Sequence, residues 1–223
     1  MSGLAQRFAA VQARIARACE DAGRDPASVK LLAVSKFQPL AAVREAYALG
    51  QREFGENYAQ ELADKAQALS DLPGLRFRFI GGLQRNKAKL LAPLGCAVET
   101  LASASTASAL HERLPEGAPA LEVMLQVNSS GEAQKSGVAP AELPELLAAV
   151  RRLPRLHVSG LMTIPQADDP AAARRAYRGL RELAEAHALP ELSMGMSDDL
   201  EIAIAEGATR VRVGTALFGP RTT

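Results

Sequence analysis

Leu31-Leu32-Ala33-Val34-Ser35-Lys36 is a short apolar run that ends on a cation, and the fold follows from how often such runs recur. Further runs rich in Val, Ile, Leu and Phe fall near Glu53–Glu56, Phe77–Gly81, Ala97–Thr100, Leu121–Asn128, Leu156–Thr163, Leu192–Met196 and Arg210–Gly214. Helical periodicity fills the gaps, near Leu40–Leu49, Ala59–Leu69, Gln84–Leu91, Ser105–Leu114, Ala141–Leu153, Pro170–Ala188 and Asp198–Glu206. Strands that alternate with helices pair in parallel through right-handed crossovers, and eight of them close into a barrel. The reading is an α/β chain, a single (β/α)8 TIM barrel over residues 1–223, preceded by one extra amphipathic helix in Met1 to Ala22. An open doubly wound sheet is the rival, but no GxGxxG follows the first strand.

Composition narrows the function classes. The 223 residues carry 26 Lys+Arg against 25 Asp+Glu, a net charge of +1, with 4% aromatics and no Trp. Neither a basic stripe nor a stacking platform for nucleic acid is present in that balance. No run of about 18 apolar residues offers a membrane span, and the first helix lacks a signal-peptide core, so a cytoplasmic protein is expected. Cys19 and Cys96 form no CxxC and read as buried thiols; His111, His157 and His187 are too scattered for a metal motif.

Ligands of such barrels sit at the C-terminal ends of the strands, so those positions carry the chemistry. Period-2 alternation places Lys36 on the face of Leu32 and Val34. If that face points inward, the amine stands at the barrel mouth, where partial desolvation lowers its pKa and suits Schiff-base formation. The plainer alternative is a loop lysine. In Arg210–Gly214, outward Val211 and Val213 leave Arg212 inward, where it needs a partner: a carboxylate such as Glu122, a ligand, or both. The same alternation in the fifth run turns Glu122, Met124, Gln126 and Asn128 inward, which makes the interior unusually polar. Ser197, Gly214 and Thr215 follow strands seven and eight, where these barrels bind phosphate; Ser197 also fits as a plain cap of a helix starting at Asp198. Gly55-Glu56-Asn57 closes the second run, Gly131 and Gly137 bracket a loop with Lys135, and Lys87 and Lys89 read as a solvated helix face. Arg76 and Arg78 have no evident placement from sequence.

Taken together these segments resemble the pyridoxal 5'-phosphate (PLP) homeostasis proteins. The matching stretches are Leu32–Lys36, Phe54–Glu61, Phe79–Gly81 with Leu83-Gln84 and Asn86-Lys87, Gln126–Asn128, Lys135–Gly137, Gly160–Met162, Leu192–Ser197, Gly207–Thr209, Val211–Thr215 and Phe218-Gly219. Motif order is kept along nearly the whole chain. The resemblance implies a fold-type III barrel of the alanine-racemase N-terminal kind, with PLP as a Schiff base on Lys36. It implies further that Arg212 faces the pyridine nitrogen, that Ser197, Gly214 and Thr215 hold the phosphate, and that Asn57 and Met196 line the site.

The chain ends at Thr223, leaving no room for the racemases' additional β-domain, so a monomer is expected. The implied role is PLP homeostasis and supply to PLP-dependent apo-enzymes without catalysis. A racemase or decarboxylase of narrow specificity is the alternative, and a phosphate-binding barrel without PLP is a third reading. The sequence departs from the family pattern at Phe77, Arg78, Gly82 and Arg85, beside strand three.

Overall fold

In a computed structural model, which describes residues 2–129, 136–165 and 169–220, the alternating runs become parallel strands. They are β1 (Lys30–Val34), β2 (Glu53–Glu56), β3 (Arg76–Phe79), β4 (Ala97–Leu101), β5 (Leu121–Gln126), β6 (Leu156–Met162), β7 (Glu191–Ser193) and β8 (Arg210–Val213). They neighbour one another in chain order, and β8 pairs back onto β1 with Leu32 opposite Arg212, which closes the barrel. Closure leaves no strand edge exposed. The outer ring holds α1 (Gly3–Asp21), α2 (Leu40–Ala48), α3 (Ala59–Ala68), α4 (Ala88–Leu91), α5 (Ala104–Arg113), α6 (Leu143–Arg151), α7 (Pro170–Ala186), α8 (Leu200–Ala205) and α9 (Thr215–Phe218). The extra helix, α1, buries Leu4, Val11, Ile15, Ala18 and Cys19 and packs on α8 and α9.

The apolar core lies between barrel and helices, where Leu31, Ala33, Val123, Leu125, Val211 and Val213 are buried. The interior is polar, as the alternation of the fifth run implies. Arg78, 4% exposed, donates to Glu99 and Glu122, and Arg210 donates to Glu53 at 3.2 Å and Glu191 at 2.8 Å. Such buried pairs add little net stability over an apolar filling, but removing one partner is expensive. They settle the two arginines the sequence left open: Arg76 is exposed at the lower rim and Arg78 is interior.

Several boundaries differ from the sequence reading. Gln84–Leu91 is no single helix: a 3-10 turn (Arg85–Lys87), α4 and a second 3-10 turn (Ala92–Leu94) replace it. Pro93 removes a helical donor, and Gly95 closes the segment at φ 61°. Strand seven stops at Ser193, because Gly195 turns the chain at φ 92°, where a side chain would lie 2.5 Å from Ala203 Cβ. Lys87 and Lys89 are exposed, Cys19 and Cys96 are buried free thiols, and burial pushes the Cys96 thiol up to about 12. No described helix is long and apolar enough to cross a membrane.

Candidate active site at the barrel mouth

The chain leaves β1 at Val34, and two residues later Lys36 continues the inward face of Leu32 and Val34. Because Leu32 sits opposite Arg212, this face and the inward face of β8 are adjacent. A cavity of about 390 Å³ opens there, and Lys36, Asn57, Met196, Ser197, Arg212, Gly214 and Thr215 all line it. Every residue singled out for a cofactor therefore meets at one place, at the C-terminal mouth. The volume is within the range of small-molecule sites.

Arg212 is held rigidly. One terminal nitrogen donates to the Ser193 carbonyl at 2.7 Å and hydroxyl at 3.1 Å, and the other donates to the Thr163 carbonyl at 2.9 Å. The Ser193 hydroxyl passes on a bond to Glu99 at 2.6 Å, which ties Arg212 to the ion pairs below. Burial pushes the guanidinium's pKa down, while the charge of Glu99 opposes it. This corrects the candidate pairing with Glu122: that carboxylate is taken by Arg78, while Arg212 projects higher up, among carbonyls.

Ser197 is not the cap of a helix starting at Asp198. The helix begins at Leu200, behind Asp199, whose carboxylate instead accepts from the Met196 N–H at 2.6 Å and from the Tyr177 hydroxyl at 2.6 Å. Burial and the neighbouring Asp199 push the Tyr177 phenol far up, so it stays a donor. Freed from capping, Ser197 faces the cavity, and its carbonyl accepts from Arg14 of α1 at 3.0 Å. Arg7, on the same helix, donates to the Leu217 and Phe218 carbonyls of α9, so α1 braces both loops that carry Ser197 and Thr215.

Asn57 follows β2, and its Oδ1 is buried without a partner among the described residues. Its backbone crosses Gly81 so closely that a methyl there would lie 1.8 Å from the Asn57 carbonyl oxygen. A second cavity of about 230 Å³ adjoins on this side, lined by Ile80, Gly81, Thr100 and Gln126 among others. Tyr177 and Arg14 had no local signal, since each acts through a contact distant in sequence; period 2 alone could have turned Glu99 inward, Thr163 stands at the end of the sixth run, and Ser193 lies within the seventh. Gly131 and Lys135 lie outside the described residues.

The alanine racemase N-terminal domain family matches residues 7–222. The chain is 54% identical over 224 residues to the pyridoxal phosphate homeostasis protein of Pseudomonas aeruginosa, covering 99% of this chain and 97% of that protein. The chain belongs to the pyridoxal phosphate homeostasis protein family. A solved structure of similar sequence is PipY of Synechococcus elongatus PCC7942 with PLP bound, at TM-score 0.81 and 36% identity, covering 97% of this chain and 100% of that one. An alanine racemase from Corynebacterium glutamicum shares the barrel alone, at TM-score 0.69 and 22% identity, over 94% of this chain and 61% of the racemase. The homeostasis family thus keeps the racemase barrel, while its curated relatives are named for homeostasis and not for a reaction.

Proposed function

We propose that the chain, acting as one domain over residues 1–223, is a cytoplasmic, monomeric PLP-binding protein of vitamin B6 homeostasis. It holds PLP reversibly on Lys36 and supplies it to PLP-dependent apo-enzymes, without a catalytic reaction of its own. The observation that carries this reading is the convergence of an amine, a buried guanidinium and two hydroxyls on one cavity of about 390 Å³. That donor set fits the group: Lys36 for an aldehyde, Arg212 toward the ring nitrogen, and Ser197, Gly214 and Thr215 for a phosphate. The buried, unpartnered Asn57 Oδ1 adds an acceptor that a ligand donor satisfies.

When bound, the group supplies an aldehyde that bonds reversibly to an amine through C=N with release of one water. The Lys36 amine attacks in its neutral form, at a mouth it shares with Val34, Ile80 and Met162. Arg212 disfavours a proton on a neighbouring ring nitrogen, because two adjacent cations repel. An unprotonated ring is a poorer electron sink for carbanion chemistry, so this arginine suits holding more than turnover. Ser197 and Thr215 donate hydroxyl hydrogen bonds, and the bonds from Arg14 and Arg7 keep their loops in place.

The test is the near-ultraviolet and visible spectrum of protein plus PLP, for wild type and Lys36→Ala, before and after borohydride. A band trapped by borohydride in wild type and absent from the variant is expected. A variant that keeps the band unchanged refutes Lys36 as the anchor, and turnover of added amino acids at enzyme-like rates refutes the carrier reading.

A further inference from the structure

Helix α3 reaches the Lys36 segment from outside the barrel. Lys65, in the last turn of α3 and 5% exposed, donates to the Ser35 carbonyl at 2.6 Å, to Glu56 at 2.8 Å and to Glu61 at 2.8 Å. The same oxygen of Glu61 accepts from the Phe37 backbone N–H at 2.6 Å. Glu56 accepts from the Ser35 hydroxyl at 2.6 Å through the oxygen that Lys65 also holds. One buried cation and two carboxylates therefore grip the residue before Lys36 by its carbonyl and hydroxyl, and the residue after it by its N–H.

Phe37 is where such a grip matters. Its φ is 62°, the left-handed region that costs a residue with a Cβ about 1–2 kcal/mol. Its ring is 54% exposed and lies against the 51% exposed Tyr58, centroids 5.0 Å apart, while Glu61 holds its N–H. Glu56 also precedes Asn57, so the cluster joins the ends of β1 and β2 where both enter the cavity. A buried charge cluster is a poor source of net stability, and the second oxygen of Glu56 is buried without a partner among the described residues. What the cluster supplies is geometry.

We propose that Lys65, Glu61 and Glu56 form a positioning clamp that aims the Lys36 amine into the cavity, so that covalent capture of an aldehyde at Lys36 depends on helix α3. This rests on the Lys36 reading above. None of the three touches the ligand; each acts through the main chain of residues 35 to 37. Relaxing Phe37 from its left-handed conformation swings the adjoining peptide, and with it the Lys36 side chain, away from the aldehyde.

The test compares wild type, Glu61→Ala, Glu61→Gln and the double variant Lys65→Met with Glu56→Gln, which removes both buried charges together. Capture is read as the rate of borohydride-trapped adduct on the Lys36 peptide across a pH series, with PLP as probe. Pyridoxine 5'-phosphate, which lacks the aldehyde, reports the ring and phosphate contacts separately. Glu61→Ala is expected to slow capture roughly tenfold, the loss of one charge-assisted hydrogen bond, at every pH of the series. Glu61→Gln, which keeps an oxygen for the Phe37 N–H, restores most of the rate. Binding of pyridoxine 5'-phosphate stays within about twofold of wild type, because the clamp side chains bond residues 35 and 37 and one another, not Ser197, Gly214 or Thr215. If the double variant fails to fold, half-buried Glu61 still decides the matter. Wild-type capture in Glu61→Ala overturns the clamp and leaves Lys36 as anchor, and so does a parallel fall in pyridoxine 5'-phosphate binding, which marks a general structural role. Absence of a Lys36 adduct in wild type overturns the anchor itself and the clamp with it.

Discussion

Arg78→Met tests the claim that the barrel interior is an interlocked set of charges beneath the site. Arg78 donates to Glu99 and Glu122 and lies 3.9 Å from Glu53. Glu99 is 0% exposed, so it cannot turn to water when the guanidinium goes. Among the described residues it then retains the Ser193 hydroxyl at 2.6 Å and Arg210 at 3.7 Å. Methionine nearly fills the volume, which keeps the cavity contribution small, and the cost is dominated by the stranded carboxylate. Breaking a buried pair in this way costs about 3–5 kcal/mol. For a chain of this size that corresponds to a fall in Tm of roughly 6–20 °C. Urea unfolding followed by circular dichroism measures it, with an unchanged m-value as the sign that stability alone moved. Adding Glu99→Gln to Arg78→Met removes the stranded charge and is expected to recover at least about 1 kcal/mol, a non-additivity that coupled neighbours show. A loss below about 1 kcal/mol in the single variant, or a simple sum in the double, refutes the interlocked interior. Because Ser193 links Glu99 to Arg212, the single variant is also expected to release PLP faster than wild type.

Tyr177→Phe removes one hydrogen bond to Asp199, the residue that also holds the Met196 N–H; a loss of about 1 kcal/mol and faster PLP release in stopped-flow absorbance are expected. Gly81→Ala forces a methyl to 1.8 Å from the Asn57 carbonyl, so the two strand ends must part; about 1–3 kcal/mol of stability and much of the PLP retention are expected to go, read by urea unfolding and equilibrium dialysis. Acid is expected to weaken the fold through Glu122 and Glu191. Burial pushes both carboxyls up, but Arg78 and Arg210 outweigh it, so their folded values lie below the ordinary 4.5. The unfolded chain then binds these protons more readily than the folded one; their contribution is complete above pH 4.5 and lost as pH falls through the lowered values. Urea midpoints measured between about pH 7 and pH 3 check this, and a midpoint that does not fall refutes it.

The sequence by itself determined the barrel, because eight alternating runs with short helical gaps leave few other ways to bury a two-sided strand. It also brought together the candidate site residues that stand at strand ends: period 2 places Lys36 and Arg212 inward, and chain order makes β1 and β8 neighbours once the sheet closes. What period 2 could not say is which inward charge meets which. Alternation and sign offer Glu122 as one candidate partner of Arg212, yet their heights along the barrel axis differ, and only the stagger of the closed sheet assigns Glu122 to Arg78 and Arg212 to Ser193 and Thr163.

The same limit explains the residues that gave no sequence signal. Lys65, Tyr177 and Arg14 lie on helices, where a buried or half-buried polar group looks like any surface residue until a neighbouring element is docked against it. Lys65 reaches Ser35, Tyr177 reaches Asp199 and Arg14 reaches Ser197, which are 30, 22 and 183 residues away. Local pattern encodes which way a side chain points, through the 3.6 and 2.0 residue periods of helix and strand. Which partner waits there is a property of the packed layers, and tertiary structure alone decides it.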